Sequence, residues 1–237
     1  MNFIELQSIV QGKVFKNEPM SKHTTYGIGG PAFAYIIPKD KFDIKRILIF
    51  SKKYSIPVYF IGSGSNLLVS DNGIDGIVIS PAKSLKKLSI KNKSIYAESG
   101  VMLGKLVKEC ISRDLTGLES LIGVPGTLGG ALIMNAGAFG GEISNYLKSV
   151  DVMDMEGNIK TYKSDEIQFS YRFSSFKNEE FILSAQFELE FEQTDIIKQK
   201  KARASLGRRT NQPLKFRSAG SVFKNPKNFS AGYLIDK

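Results

Sequence analysis

One cysteine and one histidine among 237 residues leave little room for several kinds of chemistry. Cys110 has no partner for an internal disulfide, which agrees with a reducing compartment. A zinc site of Cys and His ligands is not available, and no metal centre is expected. A serine nucleophile would have only His23 to turn to as a base, so hydrolase chemistry of that kind is poorly supplied. No apolar run reaches the length of a membrane span. The start, Met1-Asn-Phe-Ile-Glu-Leu6, shows neither the basic lead nor the apolar core of a secretory signal, and a cytoplasmic protein is expected. Internal repeats and low-complexity tracts are absent as well.

The chain does carry 42% hydrophobic residues, enough for a sizeable core, and a formal net charge of +10. That charge raises a nucleic-acid-binding module as a reading. The lysines are scattered, however, and the densest basic group (Lys198, Lys200, Lys201, Arg203, Arg208, Arg209) lies in one late helical segment without a binding motif. Attraction for small polyanionic ligands accounts for the charge more economically, and no nucleic-acid partner is expected.

The most unusual stretch is Gly117 to Gly141, in which eight of twenty-five residues are glycine and only Glu119 is charged. Glycine is costly inside ordinary elements. Set among Leu, Ile, Val and Met, these glycines imply backbone brought close to something. Two readings stand: a cradle whose N–H groups meet phosphate oxygens, or a tight turn packed on a helix.

Pattern and punctuation give the rest of the chain an order. Residues 1–19 read as a lead-in of low information. His23-Thr-Thr-Tyr-Gly-Ile-Gly-Gly-Pro-Ala32 introduces a strand over Phe33–Pro38. Lys41–Tyr54 is a helix with Ile44, Ile47, Leu48 and Ser51 on one face. Pro57–Ile61 and Ile77–Ile79 are buried strands, and Leu85–Ile90 with Ser94–Glu98 form a hairpin about Asn92-Lys93. A helix over Leu103–Arg113 buries Leu106, Val107 and Cys110. A second hairpin spans Ser149–Met155 and Asn158–Tyr162. Phe181–Phe191 is one long strand, and a capped helix runs from Thr194-Asp195 to about Leu206. The fold class is α+β, not a doubly wound sheet, because regular strand–helix alternation is lacking. Composition turns basic and helical near 192, where a domain boundary is expected.

Three clusters carry candidate chemistry. Gly62-Ser-Gly-Ser-Asn66 follows a strand and offers successive N–H donors and hydroxyls to a diphosphate, although it lacks the G-x-G-x-x-G spacing of a Rossmann loop. With Gly123–Gly130 it suggests two walls around one dinucleotide. Arg172, among Phe169, Tyr171 and Phe173, is placed to pair with a carboxylate or phosphate, or else lies on the surface over apolar neighbours. In Ser218-Ala-Gly-Ser-Val-Phe-Lys-Asn-Pro226, Ser221 could donate a proton to a developing carbanion, and Lys224 and Asn225 offer anion and amide contacts; a bland turn is the alternative.

Taken in order, these segments resemble the UDP-N-acetylenolpyruvoylglucosamine reductases (MurB). The matching pieces are Thr24-Thr-x-x-Ile-Gly-Gly-Pro-Ala32, Gly62-Ser-Gly-Ser-Asn-Leu-Leu68, Gly123-Val-Pro-Gly-Thr-x-Gly-Gly130, Asn135-Ala-Gly-Ala138, Tyr171-Arg-x-Ser174, Gln212-Pro-Leu214 and Ser218-Ala-Gly-Ser-x-Phe-Lys-Asn-Pro226. The resemblance covers about residues 17–237 and is closest to the shorter subtype, which lacks an inserted tyrosine-bearing loop.

It implies an FAD-binding domain of the vanillyl-alcohol-oxidase type over 20–192, in two lobes split near 80. An incomplete α+β substrate-binding domain would follow over 193–237. It implies FAD as cofactor, NADPH as co-substrate and UDP-N-acetylglucosamine enolpyruvate as substrate. Hydride passes from flavin N5 to the vinyl carbon, and the neighbouring carbon is then protonated. Carried over, Arg172 stabilises the enolate and Ser221 is the proton donor. Gly62, Ser63, Gly64, Ser65, Asn66, Gly123, Pro125, Gly126, Thr127, Gly129, Gly130, Asn135 and Gly137 fall in the cofactor segments. Arg208, Arg209 and Asn225 are candidates for the substrate.

The family's third catalytic residue, a glutamate, belongs to a longer C-terminal domain, and no residue here takes that role. A fragment is therefore expected. The alternatives are a flavin-binding protein with little activity, or a sugar or alcohol oxidase of the same superfamily with FAD attached through His23.

Overall fold

The structure, a computed structural model, describes residues 3–212 and 216–236. Pro213 and Leu214 of the Gln212-Pro-Leu motif lie outside the described residues. In chain order the elements are α1 (Phe3–Ile9), β1 (Lys13–Pro19), β2 (Pro31–Ile37), α2 (Lys41–Tyr54), β3 (Val58–Phe60), β4 (Ile74–Ile79), β5 (Leu88–Lys91), β6 (Ser94–Glu98), α3 (Leu103–Ile111) and β7 (Leu115–Thr116). Then come α4 (Leu128–Ile133), β8 (Gly137–Ala138), β9 (Gly141–Glu142), β10 (Leu147–Met153), β11 (Ile159–Lys163), β12 (Phe169–Ser170), β13 (Phe173–Ser174), β14 (Phe181–Glu188), β15 (Glu190–Phe191), α5 (Thr194–Asn211) and α6 (Ala231–Asp236).

Two sheets divide the molecule. The first has order β1-β2-β4-β3, with β1 antiparallel to β2 and the other pairs parallel. The second, β11-β10-β14-β6-β5, is antiparallel throughout. The α+β class holds, with one local exception: β2, α2 and β3 make a parallel crossover.

Helix α2 forms where its periodicity places it. Asp40 caps it by accepting from Asp43 N at 2.9 Å, and Ser55 ends it in the left-handed region at φ 52°. Its buried face, Ile44, Ile47 and Leu48, meets Leu6 of α1 and Ile36, Ile77 and Ile79 of the first sheet. The same core takes Met153, Phe181 and Leu183 from the second sheet, so the two sheets are joined by packing. The opposite face of the first sheet buries Tyr35 and Val78 with Ile61 and Val69, beneath the loop at 62–66. The second sheet lays Ile95, Ala97, Val150, Val152 and Phe187 against α3 and α4.

Several sequence expectations need correction. The lead-in is structured: α1 packs on α2, and β1 pairs with β2 from Lys13↔Ile37 to Pro19↔Pro31. Its residues are largely half-buried or exposed, as befits an edge strand, so no alternating pattern marks it. The long strand 181–191 is interrupted after Glu188, where the chain leaves β6 and pairs briefly with β7. Helix α5 continues through Asn211, past the expected end near Leu206, and its Ala204 packs into the core of the second sheet.

Candidate active site

The two glycine segments meet. Loop 62–66 leaves β3 beside β4, where Ser80 Oγ donates to the Gly62 carbonyl at 3.1 Å. A Cβ on Gly62 would overlap the hydroxyl of Thr127, and one on Gly126 would come 3.3 Å from Ser65 Oγ. Only glycine allows this approach at 62. Gly64, at φ +69°, is pressed on the His23 carbonyl, and Thr25 N donates to its carbonyl at 3.1 Å. The second wall is pinned by the segment before α3: Leu128 N to Val101 O at 2.8 Å, Gly129 N to Ser99 O at 2.9 Å and Leu103 N to Gly126 O at 3.0 Å.

That leaves the N–H groups of Ser63, Gly64, Ser65 and Asn66 on one wall, and of Gly126 and Thr127 on the other, without an acceptor among the described residues. All of these residues but the exposed Asn66 are buried or half-buried, and N–H groups so placed call for an acceptor. Pro125 and Gly130 are exposed at the same rim. A ring of backbone donors with serine hydroxyls, and no carboxylate among them, suits a diphosphate. The residues present therefore fit a dinucleotide.

Three residues expected among the cofactor contacts also make bonds within the protein. Gly129 gives its N–H to Ser99, and a Cβ there would stand 3.1 Å from Ser99 Cβ, so it serves close packing. Asn135 and Gly137 face the β12–β13 hairpin: Asn135 Nδ2 donates to the Ser170 carbonyl at 3.2 Å, and the Gly137 carbonyl accepts from Arg172 Nη1 at 3.4 Å.

Arg172 occupies the two-residue turn of that hairpin at φ 58°, a conformation unusual for arginine, with its guanidinium 5.4 Å from the Tyr171 ring centroid. The segment holding Ser221 is tied at both ends. Thr25 Oγ1 donates to the Ser218 carbonyl at 2.7 Å, beside the first glycine loop, and Asn225 N reaches Tyr171 Oη at 3.4 Å, beside Arg172. Ser221 lies between these ties, exposed and without a partner among the described residues. The side-chain Oδ1 of Asn225 accepts from Ala231 N at 2.9 Å.

A profile of the FAD binding domain family matches residues 32–163, more than half of the chain. The UDP-N-acetylenolpyruvoylglucosamine reductase of Syntrophomonas wolfei is 41% identical over 222 residues, covering 93% of this chain and 74% of that one. The corresponding reductase of Clostridioides difficile is 43% identical over 237 residues, covering 99% and 78%. The crystal structure of the Thermus caldophilus reductase (MurB) superposes with a TM-score of 0.80 at 31% identity, covering 95% of this chain and 79% of that one. The chain belongs to the UDP-N-acetylenolpyruvoylglucosamine reductase family. It is thus a flavin oxidoreductase with an FAD-binding domain, of a family that acts in peptidoglycan synthesis. A more distant likeness, to a BBE-like protein of Physcomitrella patens at 14% identity and TM-score 0.63, concerns the fold alone and agrees with the vanillyl-alcohol-oxidase type.

Within this reductase fold the other candidates take plain positions. Arg208 lies over Gly123, whose added Cβ would be 3.1 Å from its Cδ; Nη1 donates to Gln212 Oε1 at 3.0 Å, and Nε is buried without a partner among the described residues. Burial holds its guanidinium below the ordinary value. The side chain thus faces the second glycine wall, a place its sequence position did not announce. Arg209 is exposed and has no partner among the described residues. His23 stacks on Tyr35 at 3.8 Å and sets Nε2 3.0 Å from Glu18 Oε1, contacts that mark a structural residue. Burial pushes the Cys110 thiol up to about 12, so it is inert. Among the described residues no helix is long and apolar enough to cross a membrane, and no acidic, His or Cys cluster could hold a metal.

Sequence reasoning missed Thr25, which ties the Ser221 segment down, and Glu142, the acceptor for Asn135 at 2.7 Å. Glu142 is the first carboxylate after a stretch whose only charge is Glu119, and that isolation was its one available signal.

Proposed function

We propose that this chain reduces the enolpyruvyl group of UDP-N-acetylglucosamine enolpyruvate to give UDP-N-acetylmuramate, with bound FAD and with NADPH as reductant, in the cytoplasm. The observation that carries this reading is the tie of the Ser218–Asn225 segment to both the first glycine loop and the Arg172 turn. It draws the two candidate catalytic residues toward the cofactor walls from separate parts of the chain.

The loops Gly62–Asn66 and Gly123–Thr127 would hold the FAD diphosphate through their free N–H groups, with Arg208 as a fixed cation beside Gly123. When bound, FAD accepts a hydride from NADPH and supplies one to the vinyl carbon of the substrate. Arg172 pairs with the substrate carboxylate, and its charge stabilises the enolate that develops there. Because the guanidinium is already braced by the Gly137 carbonyl and Tyr171, little reorganisation is needed as charge builds. Ser221 Oγ then delivers a proton to the carbon next to the carboxylate, and its exposure lets water restore that proton. Arg209 and Asn225 are left to contact the nucleotide. In this reading the cofactor unit reaches back from residue 20 to include α1 and β1, and the substrate unit begins with α5.

Anaerobic reduction of the FAD-loaded protein by NADPH, followed by addition of the enolpyruvyl nucleotide, tests the proposal. The flavin should bleach and then recolour. Ser221→Ala should slow recolouring by roughly 10²–10⁴-fold, the usual effect of losing a general acid. A flavin that bleaches but is never reoxidised by this substrate would remove the assigned reaction.

A further inference from the structure

We propose that Glu142 and Asn135 are positioning residues for Arg172, setting the affinity for the carboxylate of the substrate. This rests on the role of Arg172 just given. The residues form a closed ring. Asn135 is 1% exposed and sits at φ 39°; its Nδ2 donates both to Glu142 Oε2 at 2.7 Å and to the Ser170 carbonyl at 3.2 Å. Glu142 reaches Asn135 by crossing Gly137, where a Cβ would stand 3.0 Å from its Cγ. The carbonyl of that same Gly137 accepts from Arg172 Nη1 at 3.4 Å, two residues along the hairpin from Ser170. Any shift of the β8–β9 hairpin is therefore passed to the arginine.

The amide orientation is fixed by its surroundings. Reversing it would set Oδ1 against a carboxylate and a carbonyl, so the donor must face both. Oδ1 is buried and without a partner among the described residues. The two donor bonds hold the side chain between the β8–β9 and β12–β13 hairpins. The hairpin has an independent attachment, Ser174 Oγ to the Ile133 carbonyl at 2.7 Å. Loss of the Glu142 bond should thus loosen the arginine without undocking the hairpin.

Calorimetric titration separates positioning from simple stability. The FAD-loaded protein is titrated with the enolpyruvyl nucleotide, and separately with UDP-N-acetylglucosamine, which has no carboxylate. Glu142→Ala should weaken the first by roughly 10- to 100-fold, the range of a charge-assisted hydrogen-bond pair, and leave the second unchanged. Glu142→Gln keeps an oxygen acceptor for Asn135 and should retain most of the affinity. Flavin content, read from absorbance, should equal that of the parent in both. If Arg172→Ala lowers the affinity for the carboxylate ligand and Glu142→Ala does not, positioning is overturned and the role of Arg172 stands. Equal loss of both ligands or of flavin in Glu142→Ala likewise overturns it in favour of a structural role. An unchanged ratio in Arg172→Ala overturns both readings together.

Discussion

Gly62 shows how much one missing side chain can decide. A Cβ added there would stand 2.3 Å from the Thr127 hydroxyl, so that the hydroxyl or the two loops must move. Gly62→Ala tests whether that closeness matters for the cofactor. Overpacking at such a contact costs about 1–3 kcal/mol, so the Kd for FAD should rise by roughly 5- to 150-fold, measured by quenching of flavin fluorescence. An unchanged Kd would separate the loop contact from cofactor binding. At this scale the sequence is most informative where residue type alone carries the constraint. Gly62 and Gly126 could be picked out because glycine is rarely tolerated among core residues unless backbone must come close to a neighbour. The work of Asn135 and Glu142 could not, because it depends on two hairpins docking across 35 residues, as in Asn135 to Ser170. At Gly129 residue type alone does not discriminate: close backbone packing on Ser99 and a ligand cradle ask for the same residue.

Among the elements, the first helix pair and the edge strand are held by a single carboxylate. Asp43 on α2 is fully buried; it accepts from Gln11 N at 2.9 Å, Gly12 N at 2.8 Å and Lys39 N at 2.8 Å, and pairs with Arg46 Nη2 at 2.9 Å. Burial alone would raise its pKa, but the Lys39, Gln11 and Gly12 N–H groups and the Arg46 guanidinium together outweigh burial and hold it below the ordinary 3.8. A carboxyl with a depressed folded pKa stabilises the fold above the unfolded value of about 3.9. That stabilisation is lost as the pH falls from there through the folded pKa. Urea unfolding of the parent should therefore weaken below about pH 4. Asp43→Ala should lose about 3–5 kcal/mol at neutral pH, the cost of breaking a buried charged network, and should show a flatter acid limb. A variant as acid-sensitive as the parent would shift the cause to other carboxylates. Helix α2 was legible because its period sets Ile44, Ile47, Leu48 and Ser51 on one face, and that face is the one it buries. Strand β1 was not: Lys13-Val-Phe-Lys-Asn-Glu-Pro19 owes its conformation to pairing with β2, a tertiary cause with no local pattern.

The two glycine loops belong to different sheets, and that gives the whole molecule a measurable coupling. Loop 62–66 leaves the first sheet, whereas Gly123–Thr127 is anchored to the segment joining β6 to α3 in the second. A ligand bridging them binds only when both lobes are folded and in register, because each wall supplies a share of the free N–H groups. Mass action then adds about 2.7 kcal/mol to the stability of the folded state at a free FAD concentration of 100 times Kd. For a chain of this size that should raise Tm by about 5–10 °C. Packing of Met153, Phe181 and Leu183 from the second sheet into the core beneath α2 argues that both lobes melt together, in one transition that shifts as a whole. Riboflavin has the isoalloxazine ring without the diphosphate, and at the same concentration it should shift Tm far less. An equal shift from riboflavin would mean that the free N–H groups of the two loops are not where the cofactor is held. Two transitions, only one of them moved by FAD, would mean that the lobes are coupled by neither the core nor the ligand.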